Sequence, residues 1–177
     1  MKKRYMFSTL ILFSSIALAG DLSVITCNGT MNGKRWCDNQ NGTVTDMTTG
    51  LVWLQKADWG GLHAFACPEG VWFCDTIFDR VKLLKSGYRG ANLSDGSVEG
   101  DWRVPTFSEL QKIDRDPEKI LPTKMRAFSG VQKIIGYWSS TTFPDENSKA
   151  WFMTFDRWPG FYPKTFRNYL WPVRDGQ

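Results

Sequence analysis

Residues 100–142 hold the two motifs that decide the fold of this chain. The first motif reads Gly100-Asp101-Trp102-Arg103-Val104-Pro105-Thr106-Phe107-Ser108-Glu109-Leu110. The second motif reads Gly136-Tyr137-Trp138-Ser139-Ser140-Thr141-Thr142. In the first, Thr106 and Glu109 fit a capping box, in which each side chain accepts the backbone N–H of the other residue. Pro105 keeps the preceding residues extended, so a helix is predicted from Phe107 to about Asp114.

Runs of strand-forming residues occur between residues 43 and 54 and again in the second half of the chain. Strands are predicted at residues 43–46, 51–54, 137–142, 150–155, 161–166 and 169–174. A further helix is predicted from a cap at Asp75 to about Lys85, with Ile77, Val81 and Leu84 as its buried stripe. A hairpin, two short helices and a run of antiparallel strands indicate a single α+β domain. Its 15% aromatic content predicts a tightly packed core.

The first 19 residues have the pattern of a signal peptide. A basic segment, residues 2–4, precedes an apolar run, residues 6–16, that is too short to span a bilayer. Ala17-Leu18-Ala19 fits a cleavage site before Gly20, and an uncleaved anchor is the alternative. Export to the periplasm or the exterior is therefore predicted, with no membrane span after cleavage. Removing three basic residues from the net charge of +4 leaves +1, which disfavours nucleic acid as a partner.

The four cysteines predict disulfides, because an even number in an exported chain is typical of a disulfide framework. Three connectivities are open, and the pairs Cys27–Cys37 and Cys67–Cys74 are favoured because they close short loops. A zinc site is disfavoured, since no Cys-x-x-Cys spacing occurs and His63 is the sole histidine. Neither a metal nor a cofactor is predicted.

Catalytic residues are not predicted for this chain. A Ser–His–acid arrangement would have to use His63, which lies in a loop rich in Gly and Trp, and disulfides would leave no thiol nucleophile. The acidic residues Asp95, Glu99 and Asp101 cluster in a Gly-rich segment. They could hold calcium through carboxylate oxygens, or act as paired carboxylates, but a solvated acidic loop is the simpler interpretation. The calcium site stays open at this point.

The C-terminal part of the chain interleaves basic and aromatic residues and is the candidate ligand site. The predicted ligand-binding residues are Arg157, Trp158, Lys164 and Arg167. Guanidinium and ammonium groups pair with sulfate or carboxylate groups, and neighbouring rings suit the faces of sugars. Alternatively, the rings belong to the core and the basic side chains are merely solvated.

Five elements of the sequence resemble one known family. They are Val44-Thr45-Asp46 with Thr49-Gly50-Leu51-Val52-Trp53, the Trp-Arg-Val-Pro-Thr motif, the Tyr-Trp-Ser-Ser-Thr motif, Ala150-Trp151, and Val173-Arg174. In this order they resemble the C-terminal domain family of the Legionella collagen-like protein (Lcl) over residues 42–175. The resemblance implies a fold similar to C-type lectins and formylglycine-generating enzymes. It also implies kinship with surface adhesins that bind sulfated glycosaminoglycans.

This chain departs from the relatives in two ways. No cysteine follows Cys74, so the formylglycine-generating activity is not carried over, and no Gly-x-y repeat suggests a collagen-like stalk. The domain interpretation is a signal peptide at 1–19, a disulfide-bearing lead at 20–41 and an Lcl C-terminal-like domain at 42–177. The motif residues Trp102, Arg103, Trp138 and Arg174 are expected to build the core and its ion pairs, with Asp101 or Glu109 as partners.

Two functions from different classes follow from these observations. The first is a non-enzymatic binding module, an adhesin for sulfated or acidic glycans. The alternative is a structural or accessory subunit of a cell-surface assembly that binds protein partners. An enzyme is the least favoured hypothesis, and the oligomeric state is left open.

Overall fold

Two five-stranded sheets and two helices form the domain in the computed structural model, which describes residues 25–114, 127–155 and 159–176. The described strands are β1 (Thr30–Asn32), β2 (Trp36–Asp38), β3 (Thr43–Asp46), β4 (Val52–Leu54), β5 (Leu62–Ala64), β6 (Tyr137–Thr142), β7 (Lys149–Met153), β8 (Gly160–Pro163), β9 (Arg167–Tyr169) and β10 (Val173–Arg174). The helices are α1 (Ile77–Lys82) and α2 (Phe107–Asp114). The predicted α+β class is confirmed. The signal peptide lies outside the described residues and stays a prediction.

The first sheet has the strand order β1-β2-β3-β4-β10 and is antiparallel throughout. The hairpin of β1 and β2 belongs to the predicted N-terminal lead, and the Cys27–Cys37 disulfide joins it to the residues before it. Cys37 pairs with Thr45 of β3. The described part of the lead is therefore continuous with the sheet rather than a separate attachment.

The second sheet has the order β5-β9-β6-β7-β8, and β9 runs parallel to β6 at Tyr137 and Tyr169. The prediction of one strand at 169–174 was wrong, because this segment divides between the two sheets. Trp171 is fully buried at the crossing, where its Nε1 donates to the Leu54 carbonyl over 2.8 Å. Pro172 has no N–H to donate to a strand ladder, but its carbonyl accepts from the Leu54 backbone N–H at 3.0 Å.

Helix α2 has the predicted bounds and the predicted capping box. The backbone N–H of Thr106 donates to Glu109 Oε2 at 2.7 Å, and the N–H of Glu109 donates to Thr106 Oγ1 at 3.3 Å. Both orphan donors at the start of the helix are thus satisfied.

Helix α1 differs from its prediction at both ends. Its cap is Thr76 rather than Asp75, because Thr76 and Asp79 form a reciprocal capping box. The Thr76 hydroxyl and N–H lower the pKa of Asp79. The helix ends at Lys82, before the predicted Lys85, although the predicted stripe of Ile77, Val81 and Leu84 is buried.

The core lies between the sheets and consists largely of aromatic rings. The ring of Trp171 lies 5.5 Å from that of Trp53, 5.0 Å from Phe128 and 5.3 Å from Tyr137. The first of these partners belongs to the first sheet and the last to the second, so Trp171 packs the two sheets together. Within the described ranges, the helices are too short and too polar to cross a membrane.

Candidate ligand-binding groove

The motif residues have structural roles, as expected. Trp102 and Trp138 are buried, and Arg103 forms a two-pronged ion pair with Glu109 at 2.9 and 2.8 Å. Burial raises the pKa of Glu109, but the bonds from Arg103 and Thr106 outweigh it and hold this pKa below its ordinary value of 4.5. Of the two expected carboxylate partners, Glu109 is the one that pairs with Arg103, and Asp101 is not. Its carboxylate accepts the Val98 backbone N–H at 2.8 Å instead.

The acidic cluster considered for calcium is divided among other partners. Asp95, whose side chain is fully buried, lies 3.2 Å from Arg174 and accepts the Ser97 hydroxyl at 2.6 Å. Glu99 pairs with Lys85 at 2.6 Å. Within the described ranges, no three His, Cys, Asp or Glu side chains lie close enough to hold a metal ion.

The groups considered for catalysis also have partners. Nδ1 of His63 lies 3.2 Å from the carbonyl oxygen of Asp75 and 3.5 Å from its carboxylate. The favoured disulfides, Cys27–Cys37 and Cys67–Cys74, both form, so all four thiols are consumed. The predicted connectivity is confirmed.

A groove of about 550 Å³ opens on one face of the second sheet. Its apolar lining comes from four separate segments of the chain, namely Leu62 of β5, Ile134 and Ile135 before β6, Phe152 of β7, and Tyr162 of β8. Ile134 is 74% exposed and Tyr162 is 45% exposed. Such exposure of large apolar side chains in one concave patch is typical of a binding surface.

Stacked rings form one wall of this groove. Phe152 stacks on Tyr162 with ring centroids 4.5 Å apart, and Tyr162 stacks on Phe166 at 5.4 Å. A side chain at Gly136 or Gly160 would collide with the Phe152 ring. The two glycines therefore leave the space that this ring occupies beneath the groove.

The polar groups of the groove are few and unevenly paired. Arg167 lines it, is exposed, and forms no side-chain hydrogen bond or ion pair with another described residue. Asn168 also lines it and is 3% exposed, yet its Nδ2 has no hydrogen-bond partner among the described residues. The third polar lining residue, Thr154, does interact with the protein. The described lining of the groove thus combines an apolar wall with an exposed cation, Arg167.

The structure separates the predicted ligand-binding residues. Arg167 lines the groove, whereas Nζ of Lys164 lies 4.9 Å from the ring centroid of Phe65 and 3.5 Å from Asn147 Oδ1. Arg157 and Trp158 lie outside the described residues, so their roles stay predictions.

The sequence interpretation missed most of the apolar lining. Leu62, Ile134, Ile135 and Phe152 lie far apart in the chain, and isolated apolar residues in strands or loops are normally assigned to the core. The adjacent isoleucines just before the Tyr-Trp motif were the one local signal, because two apolar neighbours cannot both point inward from an extended segment.

A slightly larger concavity, of about 620 Å³, lies beside the first sheet. Its lining includes Ile25 and Thr26, where the described part of the chain begins, and backbone around Gly50. Among the described residues that line it, the charged one is Asp175, which already pairs with Arg103. The groove of the second sheet is therefore the stronger candidate for a ligand.

The fold and the groove define a class of protein, an α+β domain with an exposed aromatic groove and an arginine at its rim. A sequence model of the Lcl C-terminal domain matches residues 42–174. The chain therefore belongs to the Lcl C-terminal domain family, which confirms the resemblance found in its motifs. A comparison with curated proteins finds no match.

Proposed function

We propose that this protein is an exported, non-enzymatic binding module whose ligand is a sulfated or acidic glycan. The observation that carries the proposal is the position of Arg167 beside exposed aromatic and aliphatic side chains in one groove. Family membership agrees with a binding role on the cell surface, and the two disulfides agree with export.

The chemistry of the groove suits an anionic sugar. The apolar CH face of a pyranose ring can pack on the ring of Tyr162, which is 45% exposed. The guanidinium of Arg167 can donate two parallel hydrogen bonds to a sulfate or carboxylate group.

Binding of the exported, oxidised protein to immobilised heparin at two salt concentrations tests this proposal. We expect retention that weakens with salt, because charge pairing at an exposed site is screened. Arg167→Ala should lower the affinity about 10-fold or more, the usual cost of losing a charge-assisted contact, and Arg167→Lys should recover only part of it.

Two matched controls separate the groove from general charge and hydrophobicity. Arg89→Ala removes the same charge from an exposed loop that does not line the groove, and it should leave retention nearly unchanged. Tyr162→Ala should weaken binding, whereas Phe161→Ala, one residue earlier on the opposite face of β8, should not. Equal effects of Arg167→Ala and Arg89→Ala would contradict a groove-specific site.

The alternative function is an accessory subunit that binds protein partners in a surface assembly. The observation that favours it is the amount of exposed apolar surface, in which Phe166 and Ile134 are 55% and 74% exposed. A stable complex with an envelope protein, formed without any retention on sulfated glycans, would support the alternative over the glycan.

A further inference from the structure

The loop closed by the Cys67–Cys74 disulfide presents an aromatic tip to solvent. The tip consists of Val71, Trp72 and Phe73, which are 48%, 91% and 98% exposed. Adjacent large rings with almost no contact to their own domain mark an interaction site. The disulfide limits the motion of the loop, so less conformational freedom is lost when the tip binds.

The charged residues of the disulfide loop and of the residue that follows it are acidic. Between residues 67 and 75 the charged side chains are Glu69 and Asp75, and both are exposed. Segments that insert into anionic bilayers carry basic residues instead. The charges therefore favour a partner with an apolar recess and a positive border, a kind of surface found on proteins.

The chain itself has such a recess on its second sheet. The groove has apolar walls that include Ile134 and Ile135, and the charged residue of its described lining is Arg167. Lys133 adds an exposed cation next to Ile134. A volume of about 550 Å³ lies within the range of roughly 300–1,000 Å³ for pockets that hold drug-sized ligands, so aromatic rings fit it.

We propose that the tip of one molecule inserts into the groove of a second copy of this chain. The chain's own tip does not fill the groove, since Trp72 and Phe73 are almost fully solvated. The contact joins two different surfaces, so two reciprocal contacts close a two-fold dimer, and contacts made in one direction build head-to-tail rings or filaments. It uses the groove of the proposed function but does not depend on glycan binding.

Sedimentation velocity of the oxidised, exported chain over a range of concentrations tests the proposal. We expect concentration-dependent association that the Trp72→Ala/Phe73→Ala variant weakens about 100-fold or more, since two aromatic anchors are lost. The Ile134→Ser/Ile135→Ser variant should weaken it similarly from the opposite side. All four residues are exposed, so these variants should fold.

Mixing the two double variants gives the sharpest result. The first keeps its groove and the second keeps its tip, so an equimolar mixture should form heterodimers and nothing larger. The matched control Val98→Ser removes an apolar side chain that is 62% exposed but does not line the groove, and it should associate like the wild type.

Three outcomes would overturn the proposal. These are a wild-type chain that stays monomeric at every concentration, association that survives loss of the tip, and a mixture of variants that stays monomeric. Binding of a monomeric chain to phosphatidylcholine vesicles through Trp72 and Phe73 would assign the tip to a lipid surface instead. Association is measured without glycan, so a failure of heparin retention would contradict only the glycan ligand.

Discussion

The carboxylate of Asp46 in the first sheet accepts four hydrogen bonds, whereas the guanidinium of Arg167 in the second sheet forms none with a described side chain. The Asp46 bonds come from Arg35, at 2.8 and 2.7 Å, and from Thr48 and Thr49. Arg35 also donates to the Lys112 carbonyl at 2.8 Å, which ties the β1–β2 hairpin to α2. The Asp46 network of the first sheet is therefore committed to the fold, while the Arg167 guanidinium of the second sheet is available to a ligand.

The largest effect should come from the core of the second sheet. Trp138 is fully buried, and its Nε1 donates to the His63 carbonyl at 3.1 Å. Trp138→Ala should lower the free energy of unfolding by about 3–5 kcal/mol, because it leaves a cavity and an unpaired carbonyl. Urea denaturation measures this loss.

The matched control for Trp138 is Arg167→Ala in the same sheet, which should stay within about 0.5 kcal/mol of the wild type. That pair of results would show that the stability of the second sheet tolerates a substitution at the groove but not one in the core. Equal unfolding midpoints for Trp138→Ala and the wild type would contradict this view.

A slightly smaller loss should follow from breaking the polar network of the first sheet. Asp46→Ala leaves the Arg35 guanidinium, whose side chain is 20% exposed, without its carboxylate. Loss of one partner of a buried ion pair costs about 3–5 kcal/mol, and the partial exposure of Arg35 places the expected loss near about 3 kcal/mol.

Asp145→Ala is the control for Asp46, since it removes an exposed carboxylate that forms no ion pair with a described residue. Its expected effect on denaturant unfolding is within about 0.5 kcal/mol. If Asp46→Ala and Asp145→Ala lower the free energy of unfolding by the same amount, the Asp46 network does not stabilise the fold more than an exposed carboxylate does.

The smallest effect should be a dependence of stability on pH. Burial raises the pKa of Asp46, but the bonds from Arg35, Thr48 and Thr49 lower it further, to a net value below 3.8. Glu109 likewise has its pKa held below 4.5. A lowered pKa in the folded state gives stability that is present above the ordinary value and is lost as the pH falls through the folded value.

Melting temperatures measured from neutral to acidic pH test this dependence. The wild type should keep its stability down to about the ordinary carboxyl values and then lose it. Glu109→Gln should be less stable at neutral pH and should show a shallower acid loss. An unchanged acid slope in Glu109→Gln would contradict a stabilising role for the Arg103–Glu109 pair.

Much of the fold could be predicted because its signals are local. The Thr106–Glu109 capping box fixed the start of α2, and short loops fixed both disulfide pairs. The start of α1 was misplaced because Asp75 and Thr76 are both good caps, and only the reciprocal bond to Asp79 distinguishes them. The division of residues 169–174 between two sheets depends on distant strands, so the segment itself does not reveal it.

The groove could be predicted only in part. Its residue types appear in a local sequence pattern, but its shape depends on contacts between segments that are distant in the chain. Basic residues among aromatic ones pointed to Arg167, which does line the groove. The same pattern suggested Lys164, but its position beside Phe65 depends on where the loop after β8 meets the loop after β5. The walls come from segments that the order of strands in the sheet brings together, and no single segment of the sequence determines that order.

Strand β10 has a consequence for the moment at which this protein can fold. Val173 and Arg174 pair with β4, and Val173 also exchanges two backbone bonds with Arg103. A chain synthesised only as far as residue 170 lacks this strand, so the edge of β4 and the place of Trp171 stay open until residues 171–174 are made. Long-range pairing of this kind is slow to form. The first sheet of the domain can therefore be completed only after residues 171–174 have been made.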